Sequence, residues 1–110
     1  MHELSIMENA LAVAIEQSAG RKITRIDMAV GELTAVVPDA LQFAFEVLSK
    51  GTAADGATLH IEHIPVSCHC SKCNQDFIVD NFHYECSGCQ TVTTSITHGQ
   101  ELHLISIEVS

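Results

Sequence analysis

From Leu4 to about Ser18 the apolar residues Leu4, Met7, Leu11 and Ile15 recur every three or four positions, with Glu8 and Glu16 off the stripe. That period predicts an amphipathic helix. Gly20 stands where such a helix would end in the left-handed conformation, and Glu3 lies in or just before the first turn, where a carboxylate suits the helix dipole. The period then changes. Ile26, Met28 and Val30 alternate with Arg25, Asp27 and Ala29, which predicts a half-buried strand over Ile23 to Val30, interrupted by Gly31-Glu32. Pro38 fits the first position of a second helix, where its missing N–H costs nothing. Leu41, Ala44, Phe45 and Leu48 form that helix's buried face, and Gly51 stops it.

Thr52 to Gly56 reads as a polar turn. Thr58 to Val66 alternates again, with Leu59 and Ile61 opposite His60, Glu62 and Ile64, and Pro65 marks the end of this strand or an edge position. Leu102 to Val109 is a third strand, placing Leu102 and Leu104 opposite His103, Ile105, Ile107 and Val109. Between the second and third strands lies a segment, roughly Ser67 to Gln100, that is rich in Cys, Ser, Thr and Asn and poor in aliphatics. It cannot build a core unaided. The expected architecture is therefore α/β (α+β): a three-stranded mixed sheet with two helices on one face, and a small zinc-ribbon-like module inserted between strands. Residues 1–66 with 101–110 would form the α/β domain and residues 67–100 the metal-held one.

Composition narrows this picture. The chain has 110 residues, 46% of them hydrophobic and 17% charged, which fits one compact domain with a small appendage. Without Trp and with 5% aromatics, its core must be aliphatic. A core of this size is modest, and a bound metal is a common supplement. Five basic against 14 acidic residues give a formal charge of −9, which disfavours nucleic acid and anionic lipid as partners. The sequence shows no membrane span or signal peptide, and it reads as cytoplasmic.

The five cysteines change the picture most. Four of them form two Cys-x-x-Cys pairs, Cys70-Ser71-Lys72-Cys73 and Cys86-Ser87-Gly88-Cys89. A two-residue gap lets the chain turn tightly and aim both sulfurs at one ion, and four thiolates in a tetrahedron suit Zn²⁺. Gly88 would supply the permissive backbone for the second turn. The 12 residues between the pairs allow a hairpin of Phe77-Ile78-Val79 against Phe82-His83-Tyr84. The competing reading is a pair of redox-active or incidental cysteine motifs. Doubled Cys-x-x-Cys in a segment with a weak core favours zinc, and closed four-cysteine coordination makes that zinc structural rather than catalytic. Cys68 stands outside the pattern and reads as a bystander, because a single-residue gap chelates poorly beside Cys70. His69, His83 and His98 read as surface residues rather than ligands.

His2 is bulky enough to keep the initiator Met1 from being trimmed. The Met1 α-amine, the deprotonated amide of His2 and its imidazole Nδ1 would then close adjacent chelate rings, with the Glu3 amide as a further in-plane donor. A planar, nitrogen-rich donor set favours Ni²⁺ or Cu²⁺ over Zn²⁺. By spacing alone, an ordinary exposed histidine near a terminus is the favoured reading.

Together these residues resemble the HypA/HybF family of hydrogenase nickel-incorporation proteins. The resemblance runs from Met1-His2-Glu3-Leu4-Ser5-Ile6 through Val30-Gly31-Glu32-Leu33 and Pro38-Asp39-Ala40-Leu41-Gln42-Phe43-Ala44-Phe45. It continues through both cysteine pairs to Gly99-Gln100-Glu101-Leu102. It implies a nickel metallochaperone that passes Ni²⁺, with the GTPase HypB, to the large subunit of nickel–iron hydrogenase; some members also serve urease. It places nickel at His2 with Glu3 beside it, and zinc at Cys70, Cys73, Cys86 and Cys89. The second pair carries Ser87 where the family often has Pro. Asp39 is the nearest acidic residue to a position before the second helix that assists nickel in some members. The expected state is a monomer or weak homodimer. Two other classes remain as alternatives: a zinc-ribbon adaptor without nickel delivery, and a thiol oxidoreductase. Hydrolytic catalysis has no support, because the sequence offers no open metal site and no nucleophile–base pair.

Overall fold

A computed structural model describes residues 2–80, 83–93 and 95–110. Helix α1 (Glu3–Ser18) buries Met7, Leu11, Ala14 and Ser18. The buried stripe therefore begins one turn later than the sequence implied: Leu4 is 52% exposed, and Ile15 packs at the edge of the core. Ser18 is buried without penalty because its hydroxyl donates to the Ile15 carbonyl (2.7 Å). The helix ends with Ala19 in the left-handed conformation (φ 53°) just ahead of Gly20 (φ 82°), so the capping role expected of Gly20 begins one residue earlier.

Strand β1 (Ile23–Gly31) leads into a single 3-10 turn (Glu32–Thr34) and then α2 (Pro38–Leu48), which starts on its proline as expected. Leu41, Ala44 and Phe45 are buried, and Leu48 packs against them. Strand β2 (Thr58–Ile64) stops before Pro65. It pairs in parallel with β1, while the final strand of the chain, Leu102–Val109, pairs antiparallel on the other side of β1. This is the expected mixed three-stranded sheet. Ile26, Met28 and Val30 turn to the helices and join Met7, Leu11, Leu41, Phe45 and Leu59 in one core that is aliphatic apart from Phe45. Burying each such large side chain contributes about 1.5–3 kcal/mol.

The last strand departs from simple alternation. Asp27 pairs with Ser106 and Met28 with Leu104, so Ile105 is an extra residue at a β-bulge. Side chains beyond it change face. Leu102 and Leu104 pack on the core, as do Ile107 and Val109, while Ile105 is exposed. The sequence pattern had placed Ile107 and Val109 with Ile105, because a period of two cannot register an inserted residue.

The segment between β2 and the last strand forms a second three-stranded sheet: β3 (Ser67–Cys70), β4 (Gln75–Ile78) and β5 (Ile96–His98), in the order β4-β3-β5. The strand Leu102–Val109 is thus β6. Val66, Cys68 and Val79 make a small core of their own, flanked by Phe77, Tyr84 and Ile96. Among the described residues, the hairpin expected between Phe77-Ile78-Val79 and Phe82-His83-Tyr84 is not the pairing seen for Phe77 and Ile78. Phe77 and Ile78 pair back on Cys68 and Ser67 in β3, and an isolated Asp80–His83 bridge follows; Phe82 lies outside the described residues. The reason is the first Cys-x-x-Cys turn, which reverses the chain at residues 71–74 and delivers it onto β3.

Candidate metal centre

Each cysteine pair sits at a sharp reversal. In the first, Cys70 closes β3 opposite Gln75, Cys73 lies within the turn, and Asn74 takes a left-handed conformation (φ 54°). In the second, the Glu85–Val92 bridge frames the turn, Gln90 is left-handed (φ 56°), and its N–H donates to the Cys86 carbonyl (2.7 Å). In both, the left-handed residue directly follows the second cysteine. The permissive role expected of Gly88 thus belongs to Asn74 and Gln90. Gly88 has no positive φ, and its α-carbon lies against the sulfurs: a Cβ there would meet Cys73 Sγ at 3.6 Å and Cys86 Sγ at 3.8 Å.

The four sulfurs converge. Cys70, Cys73, Cys86 and Cys89 place their Sγ atoms within 4.8 Å of one another, and Cys70 Sγ lies 3.6 Å from Cys89 Sγ. A tetrahedral zinc–thiolate site, with Zn–S bonds of ~2.3 Å, has S–S edges of ~3.8 Å. The donor set and its spacing therefore fit zinc, with a short cross-pair approach between Cys70 and Cys89. Cys70 and Cys86 are buried and Cys73 and Cys89 half-buried, so the centre has one inner and one outer ligand in each pair.

Electrostatics separate the two outer thiols. The Thr91 hydroxyl, with Oγ1 at 3.2 Å from Cys89 Sγ, and the Thr91 main-chain N–H favour the Cys89 thiolate and lower that thiol to about 6. A hydrogen bond toward the Cys89 thiolate, with burial and the other sulfurs, pushes Cys73 up to about 12. A metal-free cluster thus ionises unevenly, and a divalent cation is needed to hold all four sulfurs as thiolates together. Thr91 had no signal in the sequence beyond being a hydroxyl two residues after a cysteine.

The other candidates near the centre lie elsewhere. Cys68 is fully buried in the small core, and burial pushes its thiol up, which agrees with the bystander reading. His69 Nδ1 faces Asp76 across the β3–β4 pair (2.7 Å), and His98 Nδ1 faces Glu101 (2.8 Å). His83 is exposed beside its bridge to Asp80. Among the described residues, the four cysteines are the one group of three or more Cys, His, Asp or Glu ligand atoms gathered closely enough for a metal.

At the opposite end of the sequence, His2 precedes α1 as its N-cap residue, exposed, with no side-chain capping bond. Its carbonyl accepts the Ile6 N–H (3.1 Å), while the N–H groups of the first turn have no intrahelical acceptor. The Glu3 carboxylate accepts the N–H of Val37, the residue before α2 (3.3 Å); its own main-chain N–H first, and then this bond, hold it below the usual carboxylate range. Asp39 is exposed in the first turn of α2. Met1 lies outside the described residues.

A family profile described as hydrogenase/urease nickel incorporation, metallochaperone, HypA, matches residues 1–109. A hydrogenase maturation factor HypA from Picosynechococcus is 40% identical over 112 residues, covering 99% of both chains. One from Nostoc is 39% identical over 109 residues, covering 99% of this chain and 96% of its own. The solution structure of the Ni metallochaperone HypA from Helicobacter pylori superposes with a TM-score of 0.67 at 27% identity, over 99% of this chain and 97% of that one. A second solution structure of a HypA protein gives 0.72 at 27% identity, over 100% of this chain and 97% of that one. With a whole-length match in sequence and fold, and a four-cysteine centre that fits zinc, the chain belongs to the HypA family of nickel-incorporation metallochaperones.

Proposed function

We propose that this chain binds Ni²⁺ at its N-terminus and delivers it, in the cytoplasm, for maturation of a nickel–iron hydrogenase. In this reading residues 1–66 with 101–110 handle nickel, and residues 67–100 hold a structural zinc through Cys70, Cys73, Cys86 and Cys89. The observation that carries it is the His2-Glu3 start, with His2 exposed and Glu3 half-buried, running straight into α1, in a chain matched along its length by a nickel-incorporation family. Closed four-cysteine coordination leaves no position for a transferable ion. Cargo and scaffold metal therefore need different sites.

The terminus has suitable chemistry for cargo. The Met1 α-amine, the amide nitrogens of His2 and Glu3 and the His2 imidazole Nδ1 are nitrogen donors that favour Ni²⁺ in a planar arrangement. No helical carbonyl holds the first-turn amides, although the Glu3 N–H is bonded to its own carboxylate and must give up that bond to a metal. Every donor is also a proton acceptor, so acid dismantles the site and a partner's ligands can displace it. The −9 charge favours cation capture and a partner with basic surface; in this reading the GTPase HypB acts with the chain and the hydrogenase large subunit receives the nickel.

Delivery is tested in a hydrogenase-producing host lacking its own copy of this protein. The wild-type chain is expected to restore nickel to the hydrogenase large subunit, and His2→Ala to fail unless nickel salt is added in excess. Full restoration by His2→Ala would favour the zinc-ribbon adaptor instead.

A further inference from the structure

The exit of the cysteine segment is joined to the end of β1 by two glycines and one carboxylate. A Cβ on Gly31 would fall inside the Gly99 carbonyl group, so the two backbones touch. Gly99 has φ +113°, a conformation that only glycine adopts readily. Across this seam the Gly31 N–H donates to the Glu101 carbonyl (2.7 Å) and the Leu33 N–H to the Gly99 carbonyl (2.8 Å). The Glu101 side chain closes the same turn on itself. Oε1 accepts the Gly99 N–H (2.6 Å) and Oε2 accepts from His98 Nδ1 (2.8 Å), which together hold the carboxyl down to about 2.

The bonds continue beyond Leu33. The Thr34 hydroxyl donates to the Gly31 carbonyl (2.8 Å) and accepts the Val36 N–H (3.3 Å). The next N–H, that of Val37, is the one held by the Glu3 carboxylate (3.3 Å). An unbroken run of hydrogen bonds and short backbone thus leads from Glu101 to the residue after His2.

We propose that Glu101 is a positioning residue for the nickel-binding terminus. By closing the 98–101 turn it fixes the 31–37 loop, and the loop's last N–H fixes Glu3 and with it the chelating backbone of residues 2 and 3. This rests on the N-terminal nickel reading. A chelate of consecutive backbone nitrogens needs those residues in one conformation, and freeing about one residue weakens binding roughly fivefold to thirtyfold.

The test is a nickel chloride titration of the untagged, zinc-loaded full chain at pH 8, with zinc content and amide exchange at Leu33 and Val37 read on the same samples. Glu101→Ala is expected to keep its zinc, to bind nickel at least about fivefold more weakly, and to exchange faster at both amides. Glu101→Gln, which can still accept from Gly99 and donate to His98, is expected to stay within about twofold of wild type. Val37→Pro removes the last donor, at an exposed residue whose φ of −86° lies a few degrees beyond the usual proline range, and is expected to weaken nickel without touching zinc. Wild-type nickel affinity in zinc-loaded Glu101→Ala overturns the inference, and so does equal weakening in Glu101→Gln. Wild-type affinity in Val37→Pro overturns it even if Glu101→Ala does not fold. Wild-type nickel binding by His2→Ala would remove the N-terminal reading itself.

Discussion

Thr91 is the clearest case of a residue whose role lies in its hydrogen bonds to one sulfur. Its hydroxyl and main-chain N–H stabilise the Cys89 thiolate, so that thiol ionises at about 6 rather than at its ordinary 9.0. A lowered acid contributes stability that is complete above the ordinary value and is lost as pH falls through the lowered one. The Cys89 contribution therefore fades between pH 9 and about 6. Thr91→Val removes the hydroxyl while keeping the shape. Its zinc affinity is expected to fall about 10–100-fold, the usual cost of losing a ligand's hydrogen-bond partner, and acid release of zinc to begin at higher pH. Competition against a chromophoric chelator measures both, and an unchanged affinity would show that Thr91 is a bystander. At this scale the ligand cysteines were legible from spacing, because doubled Cys-x-x-Cys has few other uses. Thr91, Asn74 and Gln90 were not, because a hydroxyl donor or a left-handed backbone depends on where the chain turns.

The elements were legible wherever one period governed them. The helix and strand boundaries around Pro38, Pro65 and Leu102 follow from local chemistry that tertiary packing does not override. Reading failed where two elements meet or a period slips. The β3–β4 hairpin was hidden because its strands are short and its turn is built by a metal motif. The β6 bulge was hidden because the bulged residue, Ile105, is as apolar as the core-facing Leu104 and Ile107. The bulge has a measurable consequence. Ile107→Ala, on the core side, is expected to cost about 2 kcal/mol, the low end for a core isoleucine because this one is only half-buried. Ile105→Ala is expected to change stability by no more than about 0.5 kcal/mol. Denaturant unfolding of the zinc-loaded variants decides it, and equal costs or the reverse order would contradict the register.

In the whole molecule, two small cores depend on different forces. The helix-covered sheet buries a continuous aliphatic cluster, while the second sheet buries little beyond Val66, Cys68 and Val79. A structural zinc would supply the difference, with ~10–16 kcal/mol of binding free energy coupled to folding. Chelating the metal is therefore expected to abolish amide protection over residues 67–98 while α1, α2, β1 and β2 stay protected; simultaneous loss everywhere would mean one cooperative unit. The division of labour that follows, scaffold metal in the cysteines and cargo metal at the terminus, is the central claim. Its most direct measurement is metal analysis of the untagged chain after equilibrium dialysis with excess nickel, wild type beside His2→Ala. The expected result is about one zinc in both proteins and about one nickel in the wild type alone. Equal nickel in the two proteins, or nickel gained only as zinc is lost, would contradict it.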